Sequence, residues 1–388
     1  MTAFVPHPAA GGPRMRAWDW ARELAEDHEV VVGIVGDDPT DRRPIEAIAD
    51  VVELPTRQAR PGVRRLARLL PVLAWWRPEY TAAWHLPDPD LRLADVPASR
   101  VVTFRSHVHE VARHLGTSDS VRELDLDDRE STTLRSVAGS LWRLGRYREA
   151  LVCGLTALQY VGVERRLRGH YDRLHLASAT DRPRLRPRRG GARPVDVRPN
   201  RIGPLTPRPA RAVPATPTIL FVGTLDYPPN EEAVRWLVGP MRAALHRAGL
   251  RGRLVIAGLA PPAALRRRLE VLPDVRLVAD APELAPLYRE ADVVIIPLRA
   301  GGGTKIKTVE ALGHGVPVLG SPEAFRGLPA TVAEHCGLVR STTDAVTALR
   351  RLQAQDVGDL ERRARIARAA LQPAWLRPPG RRRARGTT

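Results

Sequence analysis

Lysine is almost missing from this chain. Of its 61 basic residues 59 are arginine, and the two lysines, Lys305 and Lys307, stand two positions apart. Cysteine is scarce as well: Cys153 and Cys336 are distant in sequence and lack metal-ligand neighbours. That argues against a disulfide framework or a zinc site and for a reducing compartment. No run reaches the roughly 18 apolar residues a membrane-spanning helix needs, and the first residues lack the apolar centre of a signal peptide. The expected location is therefore the cytoplasm. No repeat of solenoid type is visible.

What remains is a globular composition, 388 residues with 43% apolar and 27% charged, long enough for two domains with a core each. The formal charge of +18 is spread along the chain and is densest in the irregular stretches "RPRLRPRRGGARP" and "RPPGRRRARG". A specific nucleic-acid partner is not expected from that pattern, although arginine does neutralise phosphates.

From Pro217 onward, apolar runs of strand length alternate with helical stretches: "TILFVGTL", "RLVIAGL", "VRLVAD", "ADVVIIPL" and "VPVLGS". Strands apolar on both faces predict a parallel sheet covered by helices on both sides, a doubly wound α/β domain. The first half repeats the theme less regularly. The helical "RMRAWDWARELAEDH" runs into "EVVVGIVG", followed by "SRVVTFRS", "VRELDLDD" and "RLHLAS". The proline-rich "RPNRIGPLTPRPARAVPATP" reads as a hinge. The expected domains are residues 1–205, residues 206–355, and a basic, partly disordered tail over 356–388.

"GGGTKIKTVEALGHG", Gly301 to Gly315, follows the strand "ADVVIIPL". Gly301, Gly302 and Gly303 turn the chain, Thr304 is placed to cap a helix through Ala311, and Gly315 with Pro317 closes it. A strand, a glycine turn and a helix start make a phosphate site, since backbone amides can approach a ligand closely. The pattern is neither a mononucleotide P-loop nor a dinucleotide fingerprint. Turn chemistry alone is the plainer reading of the glycines. The ammonium groups of Lys305 and Lys307 suit phosphate. Glu310 shares a helix face with Lys307, so it can accept two ribose hydroxyls or merely form a surface ion pair.

"GTLDYPPNEEAVRWL" followed by "IIPLRAGGGTKIKTVEALGHGVPVLGSPEAFRGL" resembles the donor domain of the family 4 glycosyltransferases, the retaining GT-B group, in its triple-glycine branch. "PHPAAGGPRMRAW", "ELDLDDRES" and "LHLASATDRPRL" extend the resemblance over most of residues 1–345. It implies two Rossmann-like domains facing each other across a cleft, with a nucleotide-diphosphate sugar as co-substrate, no further cofactor and no metal. Glu310 falls where the ribose-binding carboxylate belongs. The carboxylate that contacts the donor sugar falls on Gly302, so sugar recognition passes to other groups.

By the same resemblance Lys305 and Lys307 face the leaving diphosphate. Gly223 belongs to the donor-binding set, and Gly11 and Gly12 form the glycine loop of the first domain. Transfer proceeds with retention to an acceptor: a polysaccharide, a lipid-linked glycan or a small molecule. Asp125, Asp127 and Asp128 sit at a strand end. Asp127 and Asp128 are candidates to orient the acceptor or stabilise positive charge, with helix capping as the alternative. Two departures stand out: Arg201 replaces a glycine in "PNRIGPL", and the closing helix dissolves into "QPAWLRPPGRRRARGTT". They leave open a non-catalytic GT-B partner protein, with an epimerase or phosphorylase as a third reading. Finally, "LWRLGRYREALVCGLTALQYVGVERRLRGHYDRL" has arginines at both ends of an apolar centre. It is read either as a weak contact with the anionic inner membrane face or as an ordinary core helix.

Overall fold

The computed structural model describes residues 1–8, 12–35, 38–54, 56–58, 85–87, 98–167, 169–182, 194–303, 305–372 and 374–376. It divides into two compact units, Met1–Ala138 with Arg148–Asn200, and Gly139–Tyr147 with Arg201–Thr388. Gly11, Thr304 and most of both arginine-rich stretches lie outside the described residues.

In the first unit β1 (Val31–Val35) pairs in parallel with β2 (Asp50–Leu54). A short ladder joins β3 (Thr56–Gln58) to β4 (His85–Pro87). Then β5 (Arg100–Phe104), β6 (Val121–Asp127), β7 (Arg173–Leu176) and β8 (Val195–Val197) form a parallel sheet in that order. Residues Met1 and Thr2 bridge β1 and β5: Thr2 N donates to Gly33 O at 2.9 Å and Phe104 N to Met1 O at 2.9 Å. The helix Pro13–Leu24 starts after Gly12, whose φ of 63° suits glycine, and Pro13 pre-sets its first turn. Its residues Ala17 and Trp20 pack with Val102 and Phe104 while Ala21 packs with Val32 and Ile34. The i, i+3, i+4 spacing of those residues is what lets one helix cover both strands. The helix Tyr147–Leu167 sets Tyr160, Val163 and Leu167 against Leu124, Leu126, Leu174 and Leu176.

The second unit holds one sheet of six parallel strands, β9 (Thr218–Val222), β10 (Arg253–Gly258), β11 (Val275–Ala279), β12 (Val293–Ile296), β13 (Val318–Gly320) and β14 (Gly337–Leu338). Their spatial order is β11-β10-β9-β12-β13-β14. Leu220, Phe221, Ile256 and Val293 are fully buried, as strands covered on both faces require. The order reverses between β9 and β12, so the crevice at their carboxyl ends is where a sheet of this kind binds ligands. The helix read in "EEAVRWLVGPMRAALHRAG" runs Pro228–Trp236 and Arg242–Arg247 around a widened turn at Leu237–Met241. Pro240 inside that turn lacks the N–H an α-helix needs, which accounts for the widening.

The stretch read as a hinge is irregular but not loose: Arg208 N donates to His314 O at 2.9 Å, and Arg211 Nε to Asp292 Oδ1 at 3.0 Å. The basic segment after residue 356 begins as a packed helix. Val357–Leu371 is a helix capped by Asp356 that buries Leu360, Ala367 and Leu371. Arg368 donates to Gly313 O at 2.8 Å and Leu205 O at 2.7 Å, and Ile202 N donates to Trp375 O at 2.9 Å. The apolar residues recur at helical spacing among the arginines, which gives the helix one packed face.

Candidate active site

The chain leaves β12 and turns through Gly301 (φ 140°) and Gly303 (φ 58°), conformations that side chains strongly disfavour. The helix Ile306–Gly313 follows, with Lys305 rather than Thr304 as the residue at its cap position. Across the switch point, β9 ends at Gly223. A β-carbon on Gly258 would lie 1.7 Å from the Gly223 carbonyl, and one on Gly223 would lie 2.8 Å from Asn230 Nδ2 and 3.0 Å from Lys307 Nζ. Both glycines are therefore required by close approach, and Gly223 belongs to the same site as the lysine.

Each charged side chain of "GGGTKIKTVEALGHG" has its own partner. Lys305 is 4% exposed; its ammonium donates to Gly302 O at 3.1 Å and pairs with Glu323 Oε1 at 2.8 Å. Lys307 donates to Asn230 Oδ1 at 2.7 Å and lies 5.0 Å over the Phe221 ring. Asn230 in turn donates to Thr224 O at 2.8 Å. Burial, with some help from the Lys305 charge, pulls Lys307 down to about 7, against an opposing pull from Glu310. Glu310 accepts from the Tyr288 hydroxyl at 3.0 Å, and Tyr288 stacks on His314 at 4.8 Å. Burial raises the pKa of Glu310 while the Tyr288 hydrogen bond and Lys307 hold it back. Among the described residues Lys307 and Glu310 form no ion pair with each other, so the surface-pair reading does not account for either.

In the first unit the acidic run ends β6 at a bulge between Asp125 and Asp127, and Asp127 adopts φ 59°. Asp125 is fully buried and takes Arg16 Nε on both oxygens at 2.9 Å and Trp20 Nε1 at 2.6 Å. Asn200 receives Arg16 at 2.8 Å and donates to Asp127 Oδ1 at 2.9 Å. Asp128 accepts from Arg105 at 2.8 Å and from Thr133 Oγ1 at 2.7 Å. Burial raises Asp127 to about 6, with Asp128 and Asp125 adding to the rise and Arg16 and Arg105 opposing it. The helix that carries Arg16 is the one that begins at Gly12, so the glycine turn and the acidic run meet through Arg16. Among the described residues no group of His, Cys, Asp or Glu is arranged to hold a metal ion.

Sequence reasoning passed over Asn230, Tyr288, His314 and Glu323 in one unit, and Arg16, Arg105 and Asn200 in the other. Asn230, Arg16, Asn200, His314 and Glu323 lie inside the quoted "YPPNEEAV", "GGPRMR", "PNRIGPL", "EALGHG" and "SPEAF", which were the available signals.

Residues 216–355 match the model of the family described as glycosyl transferases group 1. That segment holds the six-stranded sheet and the glycine turn of the second unit. Solved structures align over nearly the whole chain. A UDP-forming α,α-trehalose-phosphate synthase from Burkholderia xenovorans has TM-score 0.58 and 14% identity, covering 96% of this chain and 95% of that one. WaaG, a glycosyltransferase involved in lipopolysaccharide biosynthesis, has TM-score 0.55 and 18% identity over 95% and 94%. Anabaena Alr3699/HepE, in complex with UDP and glucose, has TM-score 0.55 and 14% identity over 96% and 95%. At such identities the likeness is one of fold, and the fold is GT-B. No curated protein sequence matches the chain.

Proposed function

We propose that the protein is a retaining glycosyltransferase of family 4 type, which moves a sugar from a nucleotide-diphosphate sugar to a glycosyl acceptor. The observation that carries this reading is the switch-point crevice of the second unit. There a glycine turn, two lysines and a carboxylate follow one another along a single loop and helix. The ribose goes to Glu310, preset by Tyr288. The diphosphate goes to Lys307 and to the start of the helix Ile306–Gly313, where positive partial charge favours an anion. Lys305, tied to Glu323, shapes the glycine turn and adds charge behind it.

In this reading the leaving diphosphate is the group whose charge grows in the transition state, so donors aimed at it supply the main catalytic term. Asp127 and Asp128 serve the acceptor side. No cofactor besides the donor is needed. That one structural neighbour binds UDP with glucose and another is UDP-forming supports a nucleotide-sugar donor for this chain as well.

We place the enzyme in the cytoplasm, resting weakly on an anionic membrane surface. On the helix Tyr147–Leu167, Tyr147, Leu151 and Leu158 are all exposed and recur at a spacing that puts them on one side. No helix among the described residues is long and apolar enough to cross a membrane.

The deciding experiment is calorimetry with nucleoside diphosphates, followed by an assay for slow hydrolysis of the matching sugar donors. Binding with hydrolysis is the expected result. Binding without hydrolysis or transfer would instead favour a non-catalytic partner protein, and no binding would sink both.

A further inference from the structure

Arg129, in the first unit, is only 7% exposed, yet the protein uses just one side of its guanidinium. Nε and Nη2 donate to Glu164 Oε2 at 3.0 and 2.7 Å, and Nη2 also donates to Ser131 Oγ at 3.2 Å. Nη1 has no acceptor among the described residues. Glu164 is fully occupied in return: Oε1 accepts from Ser131 N at 2.9 Å, and Oε2 accepts from Ser131 Oγ at 2.9 Å as well as from Arg129. The carboxylates that flank Arg129 in sequence, Asp128 and Glu130, pair with Arg105 at 2.8 and 3.5 Å.

Arg129 lines a cavity of about 210 Å³ between the start of the helix Glu130–Arg143 and the last turns of the helix Tyr147–Leu167. Helical spacing brings two more arginines to its walls. Thr132 and Arg135 are three apart on the first helix, and Arg165 follows Glu164 on the second. Arg135 and Arg165 are exposed, and neither has an acidic partner among the described residues. Three guanidinium groups against one carboxylate leave two positive charges around the cavity. A buried charged donor without an acceptor is costly, and like charges held beside it repel. A chain rich in arginine exposes many of them, but composition does not account for a buried one whose outer donors are left open.

We infer that this cavity binds a phosphomonoester dianion, with Arg129 as the buried donor, Arg135 and Arg165 closing on it from the two helices, and the Thr132 hydroxyl as a further donor. A dianion matches the two uncompensated charges, and the planar fork of a guanidinium fits phosphate oxygens. Glu164 fixes the fork by holding Nε and Nη2, so Nη1 is presented in one orientation. The volume is far above the roughly 10–15 Å³ that a water needs, which leaves room for the esterified group as well as the phosphate. None of the lining residues belongs to the glycine turn or the helix assigned to the sugar donor, so the inference stands apart from that reading.

The test is calorimetry of the full chain with glycerol phosphate in about 0.15 M chloride, where long-range attraction is screened. Saturable binding that Lys307→Ala leaves unchanged is the expected result. Arg135→Gln combined with Arg165→Gln, two exposed changes, should weaken it at least about tenfold without moving the melting temperature. Arg129→Lys keeps a cation for Glu164 but lacks the second set of donors, so it should weaken binding as much; if that variant does not fold, the exposed pair decides alone. Vesicles containing phosphatidic acid, compared with phosphatidylglycerol vesicles, identify the source of the phosphate. Capture by the former only, lost in the double variant, makes the ligand a lipid headgroup; binding of glycerol phosphate without such capture makes it a soluble ester. Binding of neither probe overturns the inference, and so does binding that the double variant leaves intact. Binding abolished by Lys307→Ala also overturns it, because the phosphate would then sit in the second unit.

Discussion

Replacing Glu310 by alanine tests the ribose assignment most directly. Its Oε2 accepts the Tyr288 hydroxyl at 3.0 Å, and among the described residues no protein donor reaches Oε1. A bound ribose would add two charge-assisted hydrogen bonds, each worth roughly 1.5–3 kcal/mol. Glu310→Ala should therefore weaken a nucleoside diphosphate by at least about a hundredfold, which corresponds to about 2.7 kcal/mol. The same change strands the buried Tyr288 hydroxyl, whose desolvation costs about 1–3 kcal/mol, so a fall in melting temperature of several degrees accompanies it. Two controls separate these effects. Glu310→Gln keeps an acceptor for Tyr288 and should restore most of the stability while recovering only part of the affinity. Tyr288→Phe removes the hydroxyl and should lower affinity by a smaller factor, because the carboxylate remains but is less fixed. The assay is calorimetry well below the melting temperature, with circular dichroism to confirm the fold. If Glu310→Ala binds as tightly as the parent, ribose does not sit on this carboxylate and the geometry of the whole site has been misread.

The remaining predictions concern charge, close approach and surface. Lys307 titrates near 7 in the fold, so diphosphate affinity should fall as pH rises from about 7 to 9 while nucleoside affinity stays flat, and Lys307→Ala should abolish the dependence. The sign for stability is the reverse. Above about 7 the unfolded lysine binds more protons than the native one, so this residue's contribution to stability increases with pH up to about 10.5; Lys307→Met should flatten that slope in thermal melts. Asp127→Asn keeps an acceptor for Asn200 in a left-handed conformation that asparagine tolerates, and it removes a carboxylate that burial disfavours. Above pH 6 it should not lower the melting temperature, yet it should cut transfer rate at least about tenfold; an unchanged rate would remove Asp127 from the chemistry. Gly258→Ala drives a methyl into the Gly223 carbonyl and should lower the melting temperature by about 4 °C or more. Tyr147→Ser with Leu151→Ser should reduce co-sedimentation with anionic liposomes without changing nucleotide affinity, and equal binding of the parent to neutral vesicles would refute the membrane contact.

The alternation of strand and helix after residue 217 was legible because strands buried on both faces must be nearly continuously apolar, and β12 and all but the first residue of β9 and β10 are. So was the glycine turn, since positive φ at Gly301 and Gly303 demands that residue type. The half-buried β2 and the short β8 and β14 were not, because an edge strand needs no apolar run. Nor could the order of the strands be read, and the site depends on that order. Asn230 meets Lys307 across 77 positions and Arg16 meets Asp125 across 109, contacts that exist only because β9 lies beside β12 and the helix of Arg16 crosses β6. Local sequence determines which faces a segment must bury and where the backbone must turn. Tertiary packing determines which polar groups those buried faces bring within a hydrogen bond of each other, and so which lysine is held by a carboxylate and which by an amide.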